Sequence, residues 1–341
     1  MLNSTFSVQQ WLSQTETSGS SLGLAELLWY QRYTKVLDLS PKIAIQNKLA
    51  GTYLAKSKGR GMEFDEVRHY QNGDDVRTID WRVTARTGKV HTKLFREEKE
   101  RPVFILTELS THMHFGSTLL FKSVQAAHLA ALIAWHVKKR GDKLGGIVFS
   151  QQQHRELKPQ SRSQGVLRYF HALTEIHRNS ADLKMDTNAA VNNKNSVNST
   201  VNNSVNSSAI HFNAALAQLR RLVHPGSLVY ILSDFSQFNA DALRHIQAIR
   251  QHNEVTCCAI SDPLELHLPS TSSGIAAVTD GINSGVVELG NKGLQQRYAE
   301  QQQSSQLQLQ QQLSLLGCKW LPITAAEPIL SQLERNRHGA S

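Results

Sequence analysis

Along the last two thirds of the chain, short unbroken apolar runs alternate with longer segments whose apolar residues recur every three or four positions. Pro102 to Leu106 is one such run; it lacks both helical periodicity and helical length, so it predicts a buried strand. A helix is predicted from Ser117 to Lys139, with Leu120, Val124, Ala127, Ala131, Ala134 and Trp135 on its apolar face and Gly141-Asp142 as its stop. Strands at Lys143 to Phe149, Ser227 to Leu232 and Val255 to Ile260 continue the pattern, with helices at Val166 to His177, Phe212 to Leu222 and Ala240 to Gln251. Strands alternating with helices imply an α/β fold, a parallel sheet covered on both faces. In open sheets of this kind ligands bind at the carboxyl edge. The polar loop Glu108-Leu109-Ser110-Thr111-His112 therefore follows the first strand into a candidate cleft.

The flanks read differently. Leu22 to Leu39 has apolar residues at helical spacing before Ser40-Pro41, predicting an amphipathic helix that packs on the body or binds a partner. Residues 41–101 predict a β-rich charged extension: Asn72-Gly73 and Thr87-Gly88 are turn dipeptides, and Val76 to Ala85 and Val90 to Phe95 alternate or are β-branched. Asn188 to Ser208 is an Asn/Ser/Val repeat almost without charge and predicts a disordered insertion. Leu294 to Leu316 is Gln-rich with Leu307, Leu309, Leu313 and Leu316 spaced within it, predicting a solvent-exposed helix before a last strand at Lys319 to Ile323. The expected division is thus a tail and helix over 1–40, the extension over 41–101, and the α/β domain over 102–341.

Composition narrows the class. With 341 residues and 40% hydrophobic content the chain can build a full core. It has no apolar run of about eighteen residues, and its first residues lack the basic and apolar regions of a secretory signal, so a cytoplasmic location is expected. Three cysteines, Cys257, Cys258 and Cys318, without CxxC spacing predict small core residues rather than a disulfide framework or zinc. The net charge of +9 permits a nucleic-acid partner. The basic residues are interleaved with acids, as at Arg68, Arg77 and Arg101, and no stripe of aromatics accompanies them, so no specific nucleic-acid binding is expected.

Several rare words stand in fixed order from Gly59 to Gly116: GRGMEF, EVRHY, GDDVRTIDWRVTAR, KLFREE and LTELSTHMHFG. With GDKLGGIVF, LVYILSDF and ISDPLELHLP further on, the chain from about Gly51 to Leu289 resembles the bacterial family called domain of unknown function 58. That resemblance implies a von Willebrand factor A-like, Rossmann-like domain and a MoxR-type AAA+ ATPase as partner. It also implies Arg68, Asp74, Asp75, Arg77, Asp80, Trp81 and Arg86 as family-motif residues, with a scaffold of buried ion pairs favoured over a docking surface.

A von Willebrand A domain holds a hard divalent cation through an Asp-x-Ser-x-Ser loop, a Thr from a second loop and an Asp from a third, all oxygen donors. The resemblance sets Glu108 at the Asp position, Ser110 at the first Ser, His112 at the second, and Asp234 at the last Asp. The Thr falls near Ile210, with Ser207 or Ser208 as substitutes if the register shifts. Glu is longer by a methylene and His offers nitrogen, so a degenerate metal-ion-dependent adhesion site is expected, without a bound cofactor, serving as a recognition cleft for a client protein. Ser110, His112 and Asp234 supply the residue types of a hydrolase triad, but no G-x-S-x-G elbow surrounds Ser110. Walker A, HExxH and dinucleotide fingerprints are absent. The expectation is a non-enzymatic adaptor; the alternative is a metal-dependent hydrolase or nuclease using Glu108 and Asp234.

Overall fold

The computed structural model describes residues 8–34, 62–97, 101–191, 202–269, 275–279, 284–288 and 291–338. In chain order the elements are α1 (Val8–Thr15), α2 (Leu24–Trp29), β1 (Met62–His69), α3 (Trp81–Thr87), β2 (His91–Glu97), β3 (Pro102–Glu108), α4 (Lys122–Arg140), β4 (Lys143–Phe149), β5 (His154–Gln160) and α5 (Arg162–Val191). They continue with α6 (Asn202–Leu222), β6 (Leu228–Ser233), α7 (Ala240–Arg250), β7 (Glu254–Ser261), α8 (Pro263–Leu266), β8 (Ile275–Thr279), β9 (Ser284–Glu288), α9 (Lys292–Leu315), β10 (Lys319–Thr324) and α10 (Ile329–His338). The chain divides into two units, Met1–Ser40 with Arg101–Ser341, and Pro41–Glu100.

In the larger unit six strands form one sheet in the order β10-β7-β6-β3-β4-β5. Five are parallel, giving the doubly wound arrangement expected. The sixth corrects an all-parallel sheet: β5 runs antiparallel to β4, joined by a tight turn in which Ser150 N donates to Gln153 O at 2.7 Å. Its sequence HRELKPQ hides it from a hydrophobic pattern, since charges and a proline are what an edge strand tolerates. The path reverses between β3 and β6, which are neighbours, so the switch point where such sheets bind ligands lies between their carboxyl ends.

Alternate strand residues feed two cores, one on each face. Val103 and Ile105 of β3 join α4 and α5, while Phe104 and Leu106 join α6, α7 and α9. Cys257 and Cys258 follow the same rule, facing opposite cores, unbonded and buried. Each fully buried Leu or Phe contributes about 1.5–3 kcal/mol relative to exposure. Close approach is demanded in the middle of β4, where Gly146 has φ +154 and a Cβ would meet Ile105 O at 2.0 Å.

Helix α4 begins later than expected and is buried on every side from Ser123 to Trp135. The segment covering its outer side is N-terminal. Leu27 and Tyr30 are fully buried, Trp135 Nε1 donates to Leu27 O at 2.9 Å, and His128 Nε2 lies 3.0 Å from Glu26 Oε2 in a buried pair. The single helix expected over Leu22 to Leu39 is instead α2 followed by a 3-10 turn at Tyr30–Tyr33; residues 35–39 lie outside the described residues.

The expected disordered insertion lies partly outside the described residues, at 192–201; its ends correct the expectation, because 188–191 continue α5 and 202–208 open α6. The Gln-rich segment is a helix, α9, but Leu313 is buried and Leu309 and Leu316 pack on the core, so it is exposed only in part. An antiparallel pair, β8 and β9, precedes it, which the sequence pattern does not predict.

In the smaller unit β1 and β2 pair antiparallel with a bulge between Phe64 and Glu66. Between them the alternating segment Val76 to Ala85, expected as a strand, forms a 3-10 turn at Val76–Thr78 and then α3. Local capping overrides the β-branched alternation: Asp80 Oδ1 accepts from Arg82 N at 3.0 Å and Val83 N at 3.1 Å, and Gly88 closes the helix at φ +71. The expected buried ion pairs are also corrected. Arg68 meets Asp74 at 2.8 Å and Lys93 meets Asp80 at 3.5 Å, both partly exposed, and Asp75 caps Arg77 N. Arg77, Arg86 and Trp81 are exposed, the indole by 68%.

Candidate functional site

Strand β3 ends in the buried carboxylate of Glu108, and the chain is then held to the sheet by Leu109 N donating to Phe149 O at 2.8 Å. Ser110 opens a 3-10 turn, Thr111–Met113, which turns His112 back over the strand end. The turn closes at Gly116, where a Cβ would meet Leu120 O at 2.1 Å, so only glycine lets the loop pass into α4. From the neighbouring strand β6 come Ser233 and Asp234, followed by Phe235 at φ +58. These placements bring Glu108, Ser110, His112 and Asp234 to one point at the switch of the sheet.

Glu108 Oε1 accepts from Ser110 Oγ at 3.0 Å and Oε2 from Ser233 Oγ at 2.5 Å. The Ser233 hydroxyl in turn accepts from Phe235 N at 2.8 Å, which holds the left-handed corner. His112 Nε2 stands 3.1 Å from Glu108 Oε1 and 3.5 Å from Asp234 Oδ1, in line for a hydrogen bond to neither. Asp234 Oδ1 also accepts from Ser236 N at 2.9 Å. Its other oxygen takes Lys122 Nζ at 2.6 Å, and the same ammonium meets Glu265 Oε1 at 2.5 Å. Glu265 is fixed by a capping box: its Oε2 accepts from Asp262 N at 3.2 Å, while Asp262 Oδ1 accepts from Leu264 N at 2.9 Å.

Burial opposes charge on all three central groups, and the partners outweigh it. Burial lowers the His112 pKa, but the carboxylates of Asp234 and Glu108 beside it raise it to about 10. Burial lowers Lys122 too, and Asp234 and Glu265 raise it above the ordinary lysine value. For Asp234 burial pushes upward, while His112 and Lys122 hold the carboxyl well below the usual range. The imidazolium and the ammonium are therefore both charged at neutral pH.

Neither Lys122 nor Glu265 nor Ser233 stands among the residues the sequence singles out. Lys122 sits in the first turn of a helix whose apolar face dominates the pattern; Glu265 and Ser233 lie inside ISDPLELHLP and LVYILSDF, where only Asp234 matches a known role. Ser207, Ser208 and Ile210 fall on α6.

As a metal site the donors are one nitrogen from His112 and carboxylate oxygens from Glu108 and Asp234, mutually within 4.8 Å. Their fit to a hard divalent cation is poor: an imidazole replaces a hydroxyl, and an ammonium 2.6 Å from Asp234 repels a second cation there. As a hydrolase triad the arrangement also fails, because Ser110 Oγ gives its proton to Glu108 rather than to His112.

Among known proteins, the uncharacterized protein Mb1516 of Mycobacterium bovis is 25% identical over 253 residues, covering 74% of this chain and 71% of its own length. The uncharacterized protein Rv1480 of Mycobacterium tuberculosis matches to the same extent. Of solved structures, the conserved hypothetical protein BatB from Bacteroides thetaiotaomicron aligns at TM-score 0.39 and 16% identity, over 71% of this chain and 100% of that one. An aerotolerance-related membrane protein from Bacteroides fragilis aligns at 0.37 and 14%, over 70% and 97%. No helix among the described residues is long and apolar enough to cross a membrane. The family model described as protein of unknown function DUF58 matches residues 66–308, a span that holds Glu108, His112 and Asp234 together, and the chain belongs to that family.

Proposed function

We propose that this chain is a non-enzymatic, cytoplasmic interaction module that works with a MoxR-type AAA+ ATPase and engages a client protein at the carboxyl edge of its sheet. The edge is a degenerate metal-ion-dependent adhesion site whose positive charge is supplied by His112 and Lys122. The observation that carries this is the Lys122 ammonium lying between Asp234 and Glu265, at 2.6 and 2.5 Å. In a buried cluster a fixed ammonium balances the carboxylates without an ion that must be bound and released. ATP chemistry falls to the partner, since the sequence has no phosphate-binding loop.

The experiment is reconstitution from purified components. Full-length protein and the MoxR-type ATPase of the same organism are mixed with and without EDTA and followed by analytical ultracentrifugation. A complex that forms equally in both is expected; no association with either would remove the adaptor reading.

The proximity of Glu108, His112 and Asp234 favours a second reading, a metal-dependent hydrolase or nuclease. Calorimetric titration with Mg²⁺ and Mn²⁺ separates the two. Tight binding, with turnover of nucleic-acid or ester substrates lost in Asp234→Ala, supports the enzyme and counts against an internally neutralised site.

A further inference from the structure

Beside Asp234 the carboxyl edge opens into a groove of about 580 Å³. One wall is aromatic and apolar, built from Phe235 and Phe238 after β6, Ile260 of β7 and Trp320 of β10. The opposite wall is one face of α9: Tyr298, Gln302, Ser305, Leu309 and Gln312 follow each other at intervals of four and three residues, the stripe a helix presents to one side. The helix is pinned at both ends of this stripe. Tyr298 Oη donates to Glu265 O at 3.0 Å, and Leu313 is buried in the core.

The chemistry of the walls limits what fits between them. Primary amides of Gln302, Gln306 and Gln312 each offer donors and an acceptor, so they match backbone N–H and C=O groups of any sequence. The aromatic wall accepts side-chain stems. From Tyr298 to Gln312 the helix rises roughly 21 Å, about the length of six residues of extended chain. At one end Asp234 and Glu265 line the groove, and behind them Glu108, His112 and Lys122 complete a cluster of three carboxylates against two cations, one carboxylate in excess. Among the described residues, the basic side chains in contact with that end, Lys122 and His112, are each already shared by two carboxylates. A phosphate-bearing ligand is repelled there, whereas a cationic side chain gains both the excess charge and the neighbouring rings.

We propose that this groove seats an extended segment of a partner polypeptide, with a Lys or Arg side chain directed to the Asp234–Glu265 end. It rests on the adaptor reading and names the chemistry of the client that reading requires.

Fluorescein-labelled hexapeptide pools, each with one position fixed as Arg, Lys, Gln or Glu and the rest drawn from Ala, Val and Ser, test it by fluorescence polarisation against the full chain. The Arg and Lys pools are expected to bind at least about tenfold more tightly than the Glu pool, with a preference that shrinks as salt rises. Glu265→Gln is expected to reduce that preference. Ser305→Trp, placed on the exposed helix face midway along the groove, is expected to abolish binding while circular dichroism and melting stay as in the parent. Equal affinity for all pools, no binding of any, or full binding by Ser305→Trp overturns the proposal. If the ATPase complex forms but no pool binds, the groove assignment falls and the adaptor stands; if pools bind but no ATPase complex forms, the reverse holds.

Discussion

Two clusters of charge, built from nearly the same residue types, behave oppositely in this protein. At the carboxyl edge of the large sheet, Glu108, Lys122 and Asp234 are largely withdrawn from water with His112 half-buried over them, and their side chains meet chiefly one another and the hydroxyls of Ser110 and Ser233. In the smaller unit Arg68, Asp74, Asp80 and Lys93 pair at comparable distances near the surface, where Arg77 and Arg86 face solvent. Distance alone therefore does not set the worth of an ion pair. Burial does: in the first cluster removal of one partner strands another in a poorly solvated place, and in the second water takes the partner's part.

The contrast is broken most sharply by Asp234→Ala. It leaves Lys122 and His112 facing fewer carboxylates, and we expect a loss of about 3–5 kcal/mol in chemical denaturation; a loss below about 1 kcal/mol would mean the cluster is as forgiving as a surface pair. Next in size is a pH effect. The folded His112 pKa is about 10 against an ordinary value near 6.5, so its stabilisation is complete below about 6.5 and is lost as pH rises toward 10. The expected fall is at most about 1.4 kcal/mol per pH unit. His112→Gln should flatten that slope, which urea titrations at stepped pH would measure. Asp234 adds the complementary arm, stabilising above its ordinary range and losing its effect as pH falls through acid values.

Ser233→Ala removes one of the two hydroxyls donating to buried Glu108 and should cost about 1–3 kcal/mol. In the smaller unit Asp80→Ala should fray α3 alone, seen as faster amide exchange at Val83, with the melting of the α/β unit unchanged. Smallest of all, Arg68→Ala should leave thermal stability within measurement error.

The same contrast marks what sequence made legible. Strands β3, β4, β6 and β7 are short apolar runs whose burial on both faces leaves a near-continuous signal; Glu108 is found at the end of such a run, and Asp234 through the resemblance to the adhesion-site pattern. Helix α3 was hidden because Val76 to Val83 alternates like a strand while a single side chain, Asp80, decides the matter by capping. Lys122 was hidden for a different reason. A lysine at the start of an apolar helix usually lies in water, and its burial follows only once β6 and α8 bring Asp234 and Glu265 to it, 112 and 143 residues away along the chain.

The cover over α4 has a practical consequence for anyone cutting the chain. The family match starts at residue 66, yet Leu27, Tyr30 and the carboxylate of Glu26 lie against α4 well before it. A fragment trimmed to the matched span would bare a helix that is oily on its outward side and strand the imidazole of His128 there, inviting aggregation. Expression should start ahead of Val8 if the fragment is to stay monodisperse.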